Sequence, residues 1–483
     1  MKNIVVIDIY AQLMKSILDT NLFNISLAVV DDVEIAEKCK EIKNLSKDIQ
    51  FYYRFPKTNF EFYELNKSNY NLTYEVIEKF RPAQFKVERF LHRELEDEAS
   101  IQERYFTALR YFIDFFENNK IDCIISAHVE HGAIWDSLIF EIAKSKNIPV
   151  YIISITSSSG NEDINIITRM NDNKICSLEQ ITSRKQMDFD IFFKNLNKYF
   201  SAYKAKKKNF TLPFKIKFSE KICFMLCNLK SMLNLHKIRM DNNFKTQITL
   251  NKIEKIQKQL YINYLFKTYE SLSTQPNYNE KYILYPLHQE PEASFMIRAT
   301  MNSQLYIIKL ISENLQDGWK LYVKEHPSQF YGYYNAEHFY KNIEYYRSTD
   351  FYTRIKSFKN VELISINTPI SKLEMNAKAI TSITGTCLLE GIFLNKPIII
   401  WGNGCNTIEK LNDVFVIRKI DDLKQAIYSI EKDFKPSYND FKEIFNKYTF
   451  SSEIYGLHPL CESNELYKEI ISKICTKSLE EEC

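Results

Sequence analysis

Four of the eight histidines, His128, His131, His288 and His326, fall in short polar segments that directly follow apolar runs of strand type. An imidazole in such a place can grip an anion or move a proton near neutral pH. His288 heads HQEPEAS (288–294), where Glu290 and Glu292 flank Pro291. Carboxylates there are also what the first turn of a helix favours, which leaves His288 the strongest catalytic candidate of the three. His326 follows LYVKE and precedes Pro327, which ends the strand and fixes the turn, aiming the ring at a phosphate beyond the strand end. TGTCLLEG (384–391) sets Thr384, Gly385 and Thr386 between a strand and a helix. Free N–H groups and two hydroxyls make that turn a phosphate seat, although an ordinary threonine cap has the same signature. Glu390 lies one turn further on, where a carboxylate can accept from a ribose diol. SAHVEHG (126–132) brings His128, Glu130 and His131 to another strand end. There Glu130 or His131 can act as general base on an acceptor hydroxyl, with Asp136 on the next helix orienting His131.

Residues at strand ends need a sheet to gather them. NIVVIDI (3–9) and ISLAVV (25–30) read as strands, and the segment 101–118 as an amphipathic helix. A strand ending in CIIS (123–126), a helix over 133–146 and the strand PVYIISI (149–155) then form one crossover unit. The rhythm restarts at YILYPL (282–287), with a long helix over 293–314 and further strands at WKLYVKEH (319–326) and VELIS (361–365). AITSIT (379–384), a helix from Cys387, PIIIWG (397–402) and DVFVIR (413–418) complete a second doubly wound set. In such sheets ligands bind beyond the carboxyl ends of the strands, which is where the candidate residues lie. The segment from about 438 to 473 reads as mostly helical and able to pack across both domains.

Composition narrows the function classes. A chain of 483 residues with 45% hydrophobic residues suits two domains and has ample core. The formal charge of +3, from 64 basic and 61 acidic residues, gives no support for nucleic acid as a partner. The ten cysteines form no C-x-x-C pair and suit free thiols in a reducing compartment. The only D-x-D, Asp188 and Asp190, sits in a charged stretch, and no dinucleotide, P-loop, serine-hydrolase or zinc-protease motif is present, so neither a metal nor a cofactor is expected. Asp8 interrupts the first apolar run, which reads as a strand and not as a signal peptide. No apolar run approaches a membrane span of about 18 residues, and a cytoplasmic location is expected. Between 201 and 260, 14 Lys or Arg face 3 Asp or Glu, interleaved with apolar residues. That stretch suits a solvated helical insertion or a face docking on an anionic membrane surface, which would place the protein peripherally at the inner face of the plasma membrane.

PLHQEPEAS, LYVKEHP and ITGTCLLEGIFLNKPIIIWG, in this order and spacing, resemble bacterial capsular polysaccharide biosynthesis glycosyltransferases. The resemblance runs over roughly 260–425 and, through IDCIISAHVEHGAIWDSLIFEIAKSKNIPVYIIS, over 121–155. It implies a GT-B fold: two doubly wound, Rossmann-like α/β domains facing a cleft, here with a basic helical insertion at about 185–272. The expected division is an acceptor-side domain over 1–275, a nucleotide-sugar domain over 276–435 and a helical tail over 436–483. The His-Pro pair with a downstream hydroxyl-rich turn is similar to sialyltransferases and Kdo transferases, which use CMP-activated acidic sugars. That likeness implies phosphate contacts for His326, Thr384 and Thr386, although this chain has Thr-Gly-Thr in place of adjacent hydroxyl residues. Pro327, Gly385, Glu390 and Glu292 complete the expected donor site, and His128 and Asp136 the acceptor side. The expected partners are a nucleotide-sugar donor, with CMP as its nucleotide, and a glycan or lipid-linked glycan acceptor. Two alternatives remain open on the residues: transfer of glycerol or ribitol phosphate from a CDP-alcohol, and an inactive scaffold or glycan-binding subunit of a capsule assembly complex.

Overall fold

The computed structural model describes residues 1–7, 11–30, 49–53, 66–92, 98–127, 135–158, 162–171, 174–184, 252–291, 301–331, 343–402, 411, 413–432, 434, 438–453 and 464–476. His128, Glu130, His131, Glu292, the D-x-D and most of the basic insertion lie outside the described residues. The chain forms two compact units, one of Met1–Lys206 with Asn439–Cys483, the other of Lys207–Tyr438.

The first unit is built on β1 (Lys2–Ile7), β2 (Phe23–Val30), β3 (Gln50–Tyr53), β4 (Cys123–Ser126) and β5 (Val150–Ser158), parallel in the order β3-β2-β1-β4-β5. Ile4, Val5, Val6 and Ile7 are all buried, as a strand covered on both faces requires, so the sequence there is continuously apolar. Beyond β5 the sheet turns antiparallel through β6 (Glu162–Arg169), which also carries β7 (Lys174–Ile175). The helix Ala11–Asp19 and the helix Glu465–Thr476 pack together, placing Met14 and Ile17 in one core with Ile470 and Ile474.

The second unit contains β8 (Lys281–Pro286), β9 (Trp319–Lys324), β10 (Val361–Leu363), β11 (Ala379–Ser382), β12 (Ile398–Ile400) and β13 (Val414–Val416). All six are parallel, in the order β10-β9-β8-β11-β12-β13. Numbered from its own first strand this is 3-2-1-4-5-6, the doubly wound dinucleotide-binding order. The reversal of winding falls between β8 and β11. Tyr282 on β8 and Tyr322 on β9 stack at 4.2 Å within the sheet's core. Gly391, in the helix Cys387–Phe393, lets that helix lie close on β11 and β12; a Cβ there would stand 3.1 Å from Ile380 Cδ1 and closer still to Ile398.

The two doubly wound units match the expected fold class, but their division differs from the expected one. The helix Lys252–Leu272 belongs to the second unit, not to a domain ending at 275. Its Ile262, Leu265 and Tyr269 are buried, Tyr269 donates to the Ile364 carbonyl at 2.5 Å, and Glu270 accepts from Ser365 and the Ile366 N–H. The segment 436–483, expected as a helical tail packing across the domains, groups from Asn439 with the first unit and carries a strand as well as helices. Between the helices Tyr438–Tyr448 and Glu465–Thr476 it supplies β14 (Thr449–Glu453), which pairs antiparallel with β6 inside the first unit. No helix among the described residues is long and apolar enough to cross a membrane.

Glu469 fastens this returning segment by accepting from the N–H and hydroxyl groups of both Thr182 and Ser183, at 2.5–3.0 Å. Burial acts to raise its pKa, but these donors outweigh it and hold the carboxyl down to about 2. A depressed folded pKa contributes stability that is complete above the unfolded value of about 4.5 and disappears as pH falls towards 2. Thermal melts from pH 6 to pH 2 should therefore show wild type losing more stability below about pH 4.5 than Glu469→Gln does; parallel curves would contradict this role. In Gly391→Ala, crowding against Ile398 should cost about 1–3 kcal/mol in denaturant unfolding, less if the isoleucine ends give way.

Candidate functional site

The site grows from the ends of β8, β9 and β11. After β8 the Leu287 N–H still bonds the Lys324 carbonyl at 2.8 Å, so the chain leaves the sheet in register with β9. His288 is then gripped through its backbone: its N–H donates to Gln304 Oε1 at 2.7 Å and its carbonyl accepts from Gln304 Nε2 at 3.2 Å. Gln304 can do this because it is the first residue of the helix Gln304–Asn314, capped by Ser303, which accepts the Tyr306 N–H. The long helix expected from 293 thus begins at Gln304 within the described residues, with 292–300 outside them.

The His288 ring crosses to β11. Its Nε2 lies 3.0 Å from Ser382 Oγ and accepts the Thr384 N–H at 3.3 Å, while Ser382 Oγ accepts the Gly385 N–H at 3.3 Å. With Nε2 accepting, the neutral ring carries its proton on Nδ1. Gly385 has to be glycine for this closeness: a Cβ would sit 2.9 Å from Ser382 Oγ and 3.2 Å from Cys387 Sγ. The Thr384 hydroxyl oxygen is buried and has no hydrogen-bond partner among the described residues. Thr386 is exposed at the N-cap of the helix Cys387–Phe393 and makes no side-chain cap bond. Glu390, half-buried, stands within that helix. The helix has only 7 residues, so the hydroxyls and N–H groups of the turn matter more than any helix dipole.

After β9, Glu325 is buried and its carboxylate accepts the His326 N–H at 2.8 Å, the Tyr352 hydroxyl at 2.7 Å and Arg347 Nε at 2.8 Å. His326 Nδ1 accepts the Ser328 N–H at 3.2 Å across Pro327, which leaves Nε2 the protonated nitrogen of the neutral ring. Gln329, in the short helix Ser328–Tyr331, bonds both the N–H and the carbonyl of Glu290, at 2.8 and 3.0 Å. The loops after β8 and β9 are therefore stapled to each other.

Arg347 ties this cluster together and has no exposed surface. It donates to Glu290, to Glu325 and, at 2.8 Å, to the His288 carbonyl, and it lies over the Phe351 ring. Burial alone would lower its pKa, but Glu325 and Glu290 hold it above the usual arginine range. Tyr352 is pushed well up, by burial first and then by the Glu325 charge.

The structure thus brings His288, His326, Pro327, Thr384, Gly385, Thr386 and Glu390 to neighbouring strand ends of one sheet. Glu290, expected as a helix-start acid, is instead an ion-pair partner of Arg347. Asp136 lies in the first unit, buried at the start of the helix Asp136–Ser145, where its Oδ1 accepts the Ser137 N–H at 2.6 Å. Its expected companions His128, Glu130 and His131 lie outside the described residues. Sequence reading missed Arg347, Gln304 and Gln329. The one available signal was Glu325 itself, a carboxylate at the end of an apolar strand, which demands a buried cation somewhere. No group of three or more His, Cys, Asp or Glu among the described residues is arranged to hold a metal ion.

No family model and no curated protein matches the chain. Among solved structures it is similar to the UDP-GlcNAc 2-epimerase of Methanocaldococcus jannaschii, at 13% identity and a TM-score of 0.25, over 99% of this chain and 100% of that one. It is also similar to a beta Kdo 2,7 transferase of Thermosulfurimonas dismutans, at 10% identity and 0.28, over 85% and 98%. A third is the N-terminal domain of a trehalose-6-phosphate phosphatase from Candida albicans, at 9% identity and 0.30, over 99% and 97%.

Removing the guanidinium leaves two buried carboxylates without their common partner. Arg347→Ala should cost roughly 3–5 kcal/mol in urea unfolding, and a loss under about 1 kcal/mol would show that the network does not hold the loops.

Proposed function

We propose that this chain is a glycosyltransferase that moves an acidic sugar, Kdo or a nonulosonic acid, from a CMP donor to a growing surface glycan. The observation that carries the reading is the meeting of the β8 and β11 ends, through His288, Ser382 and Thr384, where the winding of a 3-2-1-4-5-6 sheet reverses. Sheets of this order take nucleotides in that crevice. The capsular-glycosyltransferase resemblance of the same segments points the same way.

In this reading the CMP phosphate lies against the Thr384-Gly385-Thr386 turn, with the buried Thr384 hydroxyl and the His326 Nε2–H as donors. Glu390 accepts from the ribose diol, and Glu292 is assigned to the same donor site by the resemblance. His288, whose Nε2 is turned into the turn, acts as its positioning residue. An acceptor hydroxyl oxygen attacks the anomeric carbon while the bond from that carbon to the phosphate oxygen breaks. The hydroxyl proton passes to Glu130 or His131, with Asp136 and His128 on the acceptor side. Hydrogen-bond donors fixed at the leaving phosphate stabilise the charge that develops there, so the reading calls for no metal. The basic insertion would serve a lipid-linked acceptor at an anionic membrane surface.

Thermal-shift and calorimetric titration with CMP, CDP, UMP, UDP and GDP test this. CMP should stabilise the wild type selectively, and His326→Ala should weaken it by about tenfold, as expected for loss of a charge-assisted hydrogen bond. A preference for UDP or GDP would replace the donor, and a preference for CDP would favour phosphoalcohol transfer. No binding by any nucleotide would remove the reading.

A further inference from the structure

Glu290 is only 8% exposed, yet the two oxygens of its carboxylate are used very unequally. Oε2 accepts from Gln304 Nε2 at 2.9 Å and from Arg347 Nη1, while Oε1 has no donor among the described residues. The charges are also unbalanced. Arg347 is shared between Glu290 and Glu325, so one guanidinium faces two carboxylates. Glu325 is saturated, with both oxygens accepting from protein donors. Of the four carboxylate oxygens in this cluster, Glu290 Oε1 is the one left without a donor among the described residues. The surrounding loop holds this oxygen in one place, so a ligand donor that meets it needs no rearrangement of the protein. Gln329 holds the Glu290 backbone at both N–H and carbonyl, and Gln304 and Arg347 hold the other oxygen.

We infer that Glu290 is a ligand-contacting, specificity-determining residue whose Oε1 accepts hydrogen bonds from hydroxyl groups of the transferred sugar, with Arg347 as its positioning residue. The inference rests on the donor-site reading above. Glu290 lies two residues beyond His288, on the loop whose histidine props the turn that the donor reading gives to the phosphate. A lone carboxylate oxygen repels anions and takes neutral O–H donors, often two at once from a diol. It would thus sort the ligand's groups. Hydroxyls are drawn to Glu290, while the phosphate and any sugar carboxylate are left to the donors of His326 and Thr384.

The test compares affinities for a nucleotide and for the matching nucleotide sugar, CMP against CMP-N-acetylneuraminate and UDP against UDP-GlcNAc, by calorimetry on the full chain. Glu290→Gln should bind the bare nucleotide within about twofold of wild type and lose about tenfold or more for the nucleotide sugar. Glu325→Gln disturbs the same buried network without touching the free oxygen, and should shift both ligands alike. Equal shifts of both ligands in Glu290→Gln would overturn the inference while leaving the donor reading intact. Failure of wild type to bind any of these ligands would overturn both. If Glu290→Gln does not fold, Glu290→Asp keeps the charge and shortens the reach, and it should show the same selective loss; equal affinities there would equally overturn the inference.

Discussion

Arg347 carries a full charge with no surface in contact with water, and such a charge survives inside a protein only where its nitrogens find acceptors. Here they are answered by Glu325 at the end of β9, by Glu290 and the His288 carbonyl beyond β8, and by its own neighbour's carbonyl at Tyr346. The arrangement converts two independent loops into one rigid edge. Everything else at that edge depends on it: the direction of the His288 ring, the setting of the turn it props, and the angle at which the chain passes through His326 into Pro327. Buried ion pairs often add little stability over hydrophobic residues of the same volume, and what these pairs visibly do is fix the positions of two loops.

The parts legible in the sequence were those governed by local rules. β1, β8 and β12 are continuous apolar runs because both faces are covered, and such runs are visible without knowing their neighbours. The His-Pro and Thr-Gly-Thr segments could be placed at strand ends because proline and glycine punctuate the chain there. What could not be read depends on partners far away in sequence. Arg347 precedes Ser348, which caps the helix Thr349–Ser357, and a charged residue just before a helix normally looks like surface. Of the helix expected after β8, the described part runs from Gln304 with Ser303 as its cap, and a serine inside an apolar helical spacing gives no sign that a helix starts there. The strand Thr449–Glu453 has no alternating pattern of its own and exists only because β6 offers it an edge.

The two sheets share a parallel core and differ at their borders. In the first unit β6 and β14 extend β5 in antiparallel sense, and polar residues such as Asn165 and Thr168 are accommodated there by ladder pairing. In the second unit every pairing is parallel, and the helix Lys252–Leu272 reaches the β10 side through Tyr269, Glu270 and the Thr274–Ile364 bridge. Parallel strands end together on one side of a sheet, so the all-parallel unit is the one that concentrates its loops.

The pairing of β14 with β6 also dictates an order of assembly. The first unit draws on Met1–Lys206 and on Asn439–Cys483, with the whole of the second unit lying between them in the chain. As the polypeptide emerges from the ribosome, the residues of the second unit are complete before the first has received β14 and the helix that buries Ile470 and Ile474. The nested unit can close its sheet while its host still shows an open edge at β6. Contacts that span so much sequence form slowly, and an unpaired edge is where a nascent chain is most exposed to wrong partners. The host unit is thus the late and vulnerable step of the two.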